Sequence, residues 1–258
     1  MRGVLNRDVL RQIAIIAAKE AGKIILEGFG KETKYKPKGR TDIVTPTDKK
    51  SQNKIIQIIK KKFPDHAFLS EEAPKIKGKS DYLWIIDPLD GTSNHRAGIT
   101  FFCVSICLSY KKNPILGVVY DPLHKEMFSA EKNKGAFLNG KKIKVSKQKS
   151  LNKSMIGADS GHINRKKSVQ KMGKLVDFVR GIRWQGAAAL SLSYVACGRI
   201  EAYMTANTTA WDSCAGCLII EEAGGKTTEI NGKKRTIFSK SLLATNKSLH
   251  NKILNKIK

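Results

Sequence analysis

Residues 84–95 read "WIIDPLDGTSNH", with two carboxylates, Asp87 and Asp90, three positions apart at the end of an apolar run. Other acids stand at the borders of apolar runs: Glu71 in "LSEEA", Asp48 in "TDIVTPTD" and Asp212 in "AWDSCAG". Each has an ordinary structural use when taken alone. An aspartate mimics backbone hydrogen bonding in turns, Thr47 or Asp48 can cap the helix that runs to Lys62, and Asp212 suits the positive end of a helix dipole. Taken together they are a set of oxygen donors. Hard divalent cations such as Mg²⁺ bind that kind of set, using one or two carboxylates per ion with water and substrate phosphate. Pro88 fixes the turn between Asp87 and Asp90, and the Leu89 carbonyl lies where a strand ladder no longer uses it. Glu71 offers one more ligand. Two ions held this way bracket a phosphoryl group and acidify a water, and the backbone N–H groups of Gly91, Thr92 and Ser93 can receive phosphate oxygens, above all if a short helix starts there.

These acids belong to a basic chain. The 258 residues carry 48 Lys and Arg against 22 Asp and Glu, a formal charge of +26, with the lysines scattered rather than gathered in a tail. Broad attraction to polyanions, RNA included, follows from such a field, as does steering of phosphorylated substrates. The five cysteines are odd in number and sit in apolar or helical contexts. That argues against a disulfide framework and for a reducing cytoplasm. "CAGC" at 214–217 has no second pair to complete a zinc site, so packing cysteines are expected. The longest apolar stretches, such as "FFCVSICLSY", are too short to cross a bilayer as a helix. No membrane contact is expected.

The elements that must position the acids follow from periodicity. Val9 to Leu26 has helical spacing and closes on Gly28 and Gly30. A lysine-, proline- and glycine-containing loop follows, then a second helix up to Pro64. "HAFLS", "YLWIID", "FFCVSICLSY", "ILGVVYD" and "EMFSAEK" read as strands, and "GAFLNGKKIKV" as a hairpin turning at Asn139-Gly140. Beyond about residue 150, strands "SMIGAD", "GIRWQG" and "IEAYM" alternate with helices through "KKSVQKMGKLVDFV", "AAALSLSYVACG" and Trp211–Ala223. The last lysine-rich residues read as a short helix or a fraying tail. An α+β part over residues 1–148, carrying most of the acids, and an α/β part over 149–258, carrying Asp212, pack as one unit.

"DPLDGTSN", with "SEEA" before it and "WDSCAG" after it, resembles the inositol monophosphatase family of Mg²⁺-dependent, lithium-sensitive phosphatases. The likeness extends to "TDIVTPTD", "GVVYDP", "KGAFLNGKKIKVS", "GRIEAY" and "EEAGG". It implies a layered α/β/α/β/α sandwich, usually dimeric, that hydrolyses inositol monophosphate or a related sugar or polyol phosphate with two or three Mg²⁺ ions. Glu71, Asp87, the Leu89 carbonyl, Asp90 and Asp212 would be the metal ligands. Gly91, Thr92 and Ser93 would cradle phosphate, with Asp90 and Asp212 also bordering the substrate. Thr92, bonded to Asp48, would help Glu71 deprotonate the attacking water. "QGAAAL" matches a loop that contacts the substrate ring, through Gly186, Ala187 and Ala188.

Three positions depart from the family. Ala187 stands where threonine is usual and His95 where phenylalanine is usual. Thr205 replaces a glutamate that bonds ring hydroxyls, a loss worth ~1.5–3 kcal/mol of directional contact unless its own hydroxyl serves. His95 is expected to pack rather than bind. Relatives acting on fructose 1,6-bisphosphate or 3′-phosphoadenosine 5′-phosphate, and basic members associated with RNA or RNA polymerase, are the alternative expectations; "DGTSNH" leans towards the inositol and sugar-phosphate branch.

Overall fold

Helix α1 (Arg7–Gly28) starts where the Asn6 side chain accepts the Asp8 N–H, and it buries Leu10, Ala14, Ala17, Ala18, Ala21 and Ile25 along one stripe. The computed structural model describes residues 6–31, 34–161 and 165–257. Glu32 and Thr33, in the lysine-rich loop, lie outside them. The same loop closes on itself as a two-residue antiparallel pair, β1 (Lys36–Pro37) with β2 (Ile43–Val44). Helix α2 (Pro46–Lys62) is capped two residues before Thr47 and three before Asp48. Thr45 is the N-cap, Pro46 has the φ that the first helical position needs, and Asp48 reaches back as the second half of a capping box.

The larger sheet is built from β3 (Ala67–Ser70), β4 (Ala73–Ile76), β5 (Tyr82–Asp90), β6 (Cys103–Tyr110), β7 (Asn113–Asp121), β8 (Glu126–Glu131), β9 (Gly135–Leu138) and β10 (Lys141–Ile143). A short helix, α3 (Thr92–Ala97), leaves the end of β5. The strand order is β10-β9-β8-β7-β6-β5-β3-β4, antiparallel except where β3 runs with β5. Asn139 and Gly140 both take positive φ, 48° and 79°, in the two-residue turn that their types favour.

The second sheet has the order β12-β11-β13-β15-β14, from β11 (Met155–Asp159), β12 (Gly181–Trp184), β13 (Ala202–Thr205), β14 (Lys226–Thr228) and β15 (Leu242–Thr245). Helices α4 (Arg165–Gly173), α5 (Ala188–Ala196), α6 (Ala210–Glu222) and α7 (His250–Ile257) accompany it. The helix expected through Val179 ends at Gly173, where a 3₁₀ turn over Val176–Phe178 takes over. Glycine is a poor helix residue, and the i to i+3 bonds at Leu175 and Phe178 tighten the chain.

Strand alternation sorts the side chains into layers. Trp84 and Ile86 pack on α1 and α2, whereas Ile85 packs on α5 and α6. Tyr203, Leu242 and Ala244 meet those same two helices from the second sheet. Ala202, Met204 and Leu243 face away, onto Met172 of α4 and Ile253, Leu254 and Ile257 of α7. Helices, sheet, helices, sheet, helices is therefore the layer order, an α/β/α/β/α sandwich. The five thiols are free. Cys107, Cys214 and Cys217 pack in the central layer, and burial pushes the Cys217 thiol up to about 12. Among the described residues, no helix is long and apolar enough to cross a membrane.

Candidate active site

The two carboxylates of "DPLD" reach one cavity because the strand between them is irregular. Asp87 lies opposite Ser105 and Asp90 opposite Cys103, so three steps along β5 match two along β6. In a regular strand, residues three apart point to opposite faces; this bulge brings both to the same side. The turn is held from beneath, where Ser51 of α2 donates to the Pro88 carbonyl at 2.7 Å and the Leu89 N–H donates to Asp87 Oδ1 at 3.0 Å. Gln52, the next residue of α2, fixes the neighbouring acidic segment by accepting from the Ser70 hydroxyl and the Glu72 N–H.

Asp90 is clamped by the second half of the chain. Its Oδ1 accepts the Ala188 N–H at 3.0 Å, and its Oδ2 accepts those of Ala189 and Leu190 at 2.7 and 3.4 Å. These are the unsatisfied donors of the first turn of α5, which suits an anion there. Asp212 enters from α6 by the device that places Asp48 in α2: Thr209 is the N-cap, and Asp212 Oδ2 accepts the Thr209 N–H at 3.0 Å. Glu71, Asp87, Leu89, Asp90 and Asp212 all line the cavity, with Gly91, Thr92 and Ser93 beside them. Gly91 has a φ of 91°, and a Cβ there would meet the Phe101 carbonyl at 3.0 Å, so glycine is needed where the strand turns into α3. The Thr92 hydroxyl donates to Asp48 Oδ1 at 2.8 Å, with the Leu89 carbonyl 3.0 Å away as a second acceptor within reach. Asp48 is fully buried, and its other oxygen is taken by the N–H and hydroxyl of Thr45.

Crowding shows in the protonation of these acids. Burial, with Lys38 opposing and Asp212 adding repulsion, raises Glu71 to about 8. Burial and the Asp212 charge raise Asp90 to about 7 against the pull of the α5 N–H groups. Asp87, fully enclosed and facing Glu71, Asp90 and Asp212, lies well above the usual carboxylate range. Lys38 stands beside these acids, its Nζ 2.5 Å from Glu71 and 2.7 Å from Glu72, with Asp42 at 3.5 Å. Burial works against its charge, but Glu71 and Glu72 hold the proton on more firmly than usual. Among the described residues, no three His, Cys, Asp or Glu side chains are gathered closely enough to form a ready-made metal cluster. The donor set nevertheless fits a hard divalent cation: oxygen atoms only, several of them carboxylates, with a protein ammonium at one.

Of the ring-contact residues, Gly186 and Ala188 line the cavity, whereas Ala187 does not; its side chain is buried in the central layer and belongs to the core. His95 is wholly buried, its Nε2 2.8 Å from the Ile25 carbonyl and its ring among Phe29 and Phe102. It packs. Thr205 lines the cavity, but its hydroxyl donates to the Asn207 carbonyl at 2.9 Å and is held within its own turn. Lys38, Asp159 and Arg165 were not singled out by their sequence context. One lysine among many in a loop carries no distinguishing signal; only the fold places it on Glu71.

Known proteins resemble this chain over nearly its whole length. The model of the inositol monophosphatase family matches residues 6–258. "Inositol monophosphatase 1" of Solanum lycopersicum is 40% identical over 246 residues, covering 92% of this chain and 90% of that protein. "Nus factor SuhB" of Pasteurella multocida (strain Pm70) is 37% identical over 251 residues, 95% of this chain and 94% of that one. The solved structure of the extragenic suppressor protein suhB from Bartonella henselae superposes with a TM-score of 0.93 at 34% identity, covering 97% of this chain and 98% of that chain.

Proposed function

The chain belongs to the inositol monophosphatase family, a family of phosphomonoester hydrolases, and on that premise we propose that it hydrolyses inositol monophosphate or a related sugar or polyol phosphate with Mg²⁺. The observation that carries this reading is the meeting of Glu71 from the β3–β4 turn, Asp87, the Leu89 carbonyl and Asp90 from β5, and Asp212 from α6 at one cavity beside the Thr92–Asp48 pair. Those five residues would hold two or three ions. Such ions, when bound, neutralise phosphoryl charge and acidify water.

The chain's own groups do the rest. N–H groups of Gly91, Thr92 and Ser93 face the phosphate at the start of α3 and fix its orientation. Thr92 is held by Asp48 with its oxygen turned to the cavity, so that it and Glu71 orient the attacking water and take its proton. Gly186 and Ala188 border the alcohol. Direct attack by water, with no covalent phosphoenzyme, is part of this reading. The division into a lobe of residues 1–148 with most ligands and a lobe of 149–258 with Asp212 is part of this reading, as are a homodimer and a cytoplasmic location suited to five free thiols.

A panel of inositol 1-phosphate, fructose 1,6-bisphosphate, phosphoadenosine phosphate and β-glycerophosphate, assayed with and without Mg²⁺, tests the proposal. Metal-dependent release of phosphate, greatest for the polyol ester, is expected; equal release without metal would overturn it. The +26 charge favours one separable reading, weak contact with RNA. An RNA affinity that falls no more steeply with salt than that of unrelated basic proteins would reduce this contact to general electrostatics.

A further inference from the structure

The cavity has a second wall that the hydrolytic chemistry leaves unused. Strands β11, β12 and β13 run parallel, with Ala158 opposite Trp184 and Asp159 opposite Thr205, so their carboxyl ends open together into the cavity. Crevices at the carboxyl ends of parallel strands are where such sheets bind ligands. Asp159 lines this wall, and its carboxylate is set by the Gly161 N–H, which donates to Oδ1 at 2.8 Å. Arg165 lines it too, with Nε donating to the Ser160 hydroxyl at 3.2 Å, and is the only Lys or Arg among the described lining residues. Trp184 is half exposed and supplies an apolar face.

Tyr203 is an independent sign. It lines the same cavity, is 1% exposed, and its buried Oη has no hydrogen-bond partner among the described residues. Burial raises its hydroxyl well above the usual range, and the carboxylates of Asp159, Asp90 and Asp212 add to this. A buried donor without a partner calls for a ligand or water to complete it.

We propose that Asp159 is the specificity-determining residue for the alcohol, accepting hydrogen bonds from neighbouring hydroxyls of a neutral polyol or sugar ring. A hydroxyl both donates and accepts, so it suits a wall with a carboxylate acceptor and a guanidinium donor. An additional phosphate on the alcohol would meet the Asp159 charge, and an alcohol without other hydroxyls would offer it no further donor. Thr205, held by Asn207, does not take this role.

This inference rests on the phosphatase reading, and one experiment separates them. Asp159→Asn keeps an oxygen for the Gly161 N–H, and Asp159→Ser provides a second turn-compatible variant; melting curves verify both folds. Steady-state kinetics with Mg²⁺ compare inositol 1-phosphate, phenyl phosphate and fructose 1,6-bisphosphate. The expected result is a fall of about ten-fold or more in the kcat/KM of inositol 1-phosphate relative to phenyl phosphate, carried by KM, with no such fall for the bisphosphate. Ratios within two-fold of wild type, with all three esters hydrolysed, would overturn the role of Asp159 and leave the phosphatase reading standing. Absence of metal-dependent release from every ester by the wild-type protein would overturn both.

Discussion

Asp48 serves two structures with one carboxylate, and substitutions can separate them. One oxygen completes the capping box of α2 with Thr45, and the other holds the Thr92 hydroxyl at 2.8 Å. Asp48→Ala should therefore cost ~1 kcal/mol of stability through the cap and lower kcat by about 100-fold through loss of an oriented proton acceptor. Thr45→Ala damages the same cap, with a similar cost in urea unfolding, but leaves Oδ1 on Thr92. It should lower kcat by less than about ten-fold. Equal kcat losses in both variants would mean that helix position, not proton handling, is what Asp48 provides. Asp87→Asn makes a simpler test: it keeps the shape, accepts the Leu89 N–H as before and removes one charge from the ligand set. Turnover at saturating Mg²⁺ should fall about 100-fold or more, since several kcal/mol of charge stabilisation are lost.

At the scale of elements, α6 is where the two sheets meet, and glycines set how closely. A Cβ on Gly216 would lie 2.6 Å from the Leu192 Cβ of α5, and one on Gly117 of β7 would lie 2.8 Å from the Ala215 carbonyl. A Cβ–Cβ clash cannot be relieved by rotating a side chain. Gly216→Ala should thus destabilise the fold by ~1–3 kcal/mol in urea unfolding, despite alanine's better helix propensity. Because Asp212 is one turn upstream, the Mg²⁺ concentration for half-maximal activity should rise with it; a more stable Gly216→Ala protein would show that the helices are not in contact as described. Much of this arrangement was legible beforehand. The helical stripe of α1, the apolar alternation of β5 to β8 and the Asn139-Gly140 turn are local patterns, and local patterns survive into the fold. What escaped were β1, β2, β4, β14 and β15, each two to four residues long, whose strand state depends on a neighbouring strand rather than on their own composition. The acids that line the cavity could be read as a group because each borders an apolar run and the motifs resemble a family. Asp159 could not, because only the pairing of β11 with β13 sets it beside Thr205.

For the whole molecule, two buried populations titrate with opposite sign, and the metal should decide which governs stability. His66 is stacked between Phe63 and Tyr82, and its Nδ1 accepts the Trp84 Nε1–H at 2.9 Å. Protonation would set one N–H against another. Burial lowers its pKa to about 4, and burial does the same to His250 between Thr228 and Thr245. A histidine depressed below its unfolded value of about 6.5 contributes stability above that pH and loses it as pH falls towards 4. Glu71, Asp87 and Asp90 are raised instead. In the metal-free protein they bind more protons folded than unfolded, so their contribution is lost as pH rises from about 4 towards 7 or 8. Between about pH 4 and 6.5 the two sets oppose one another; from 6.5 to 8 the carboxylates act alone. Metal-free stability should accordingly decline from pH 6.5 to 8. Saturating Mg²⁺ requires the ligands deprotonated and removes that decline, which leaves the histidine loss exposed on the acid side. The measurement is urea unfolding across pH 4.5–8 with EDTA and with Mg²⁺. The expected outcome is a negative slope above pH 6.5 in EDTA that vanishes with metal, and a positive slope below 6.5 that appears with it, up to ~1.4 kcal/mol per pH unit for each unmatched proton. Identical profiles with and without Mg²⁺ would mean that the cavity carboxylates do not hold the ion, whatever the cavity's resemblance to a phosphatase site.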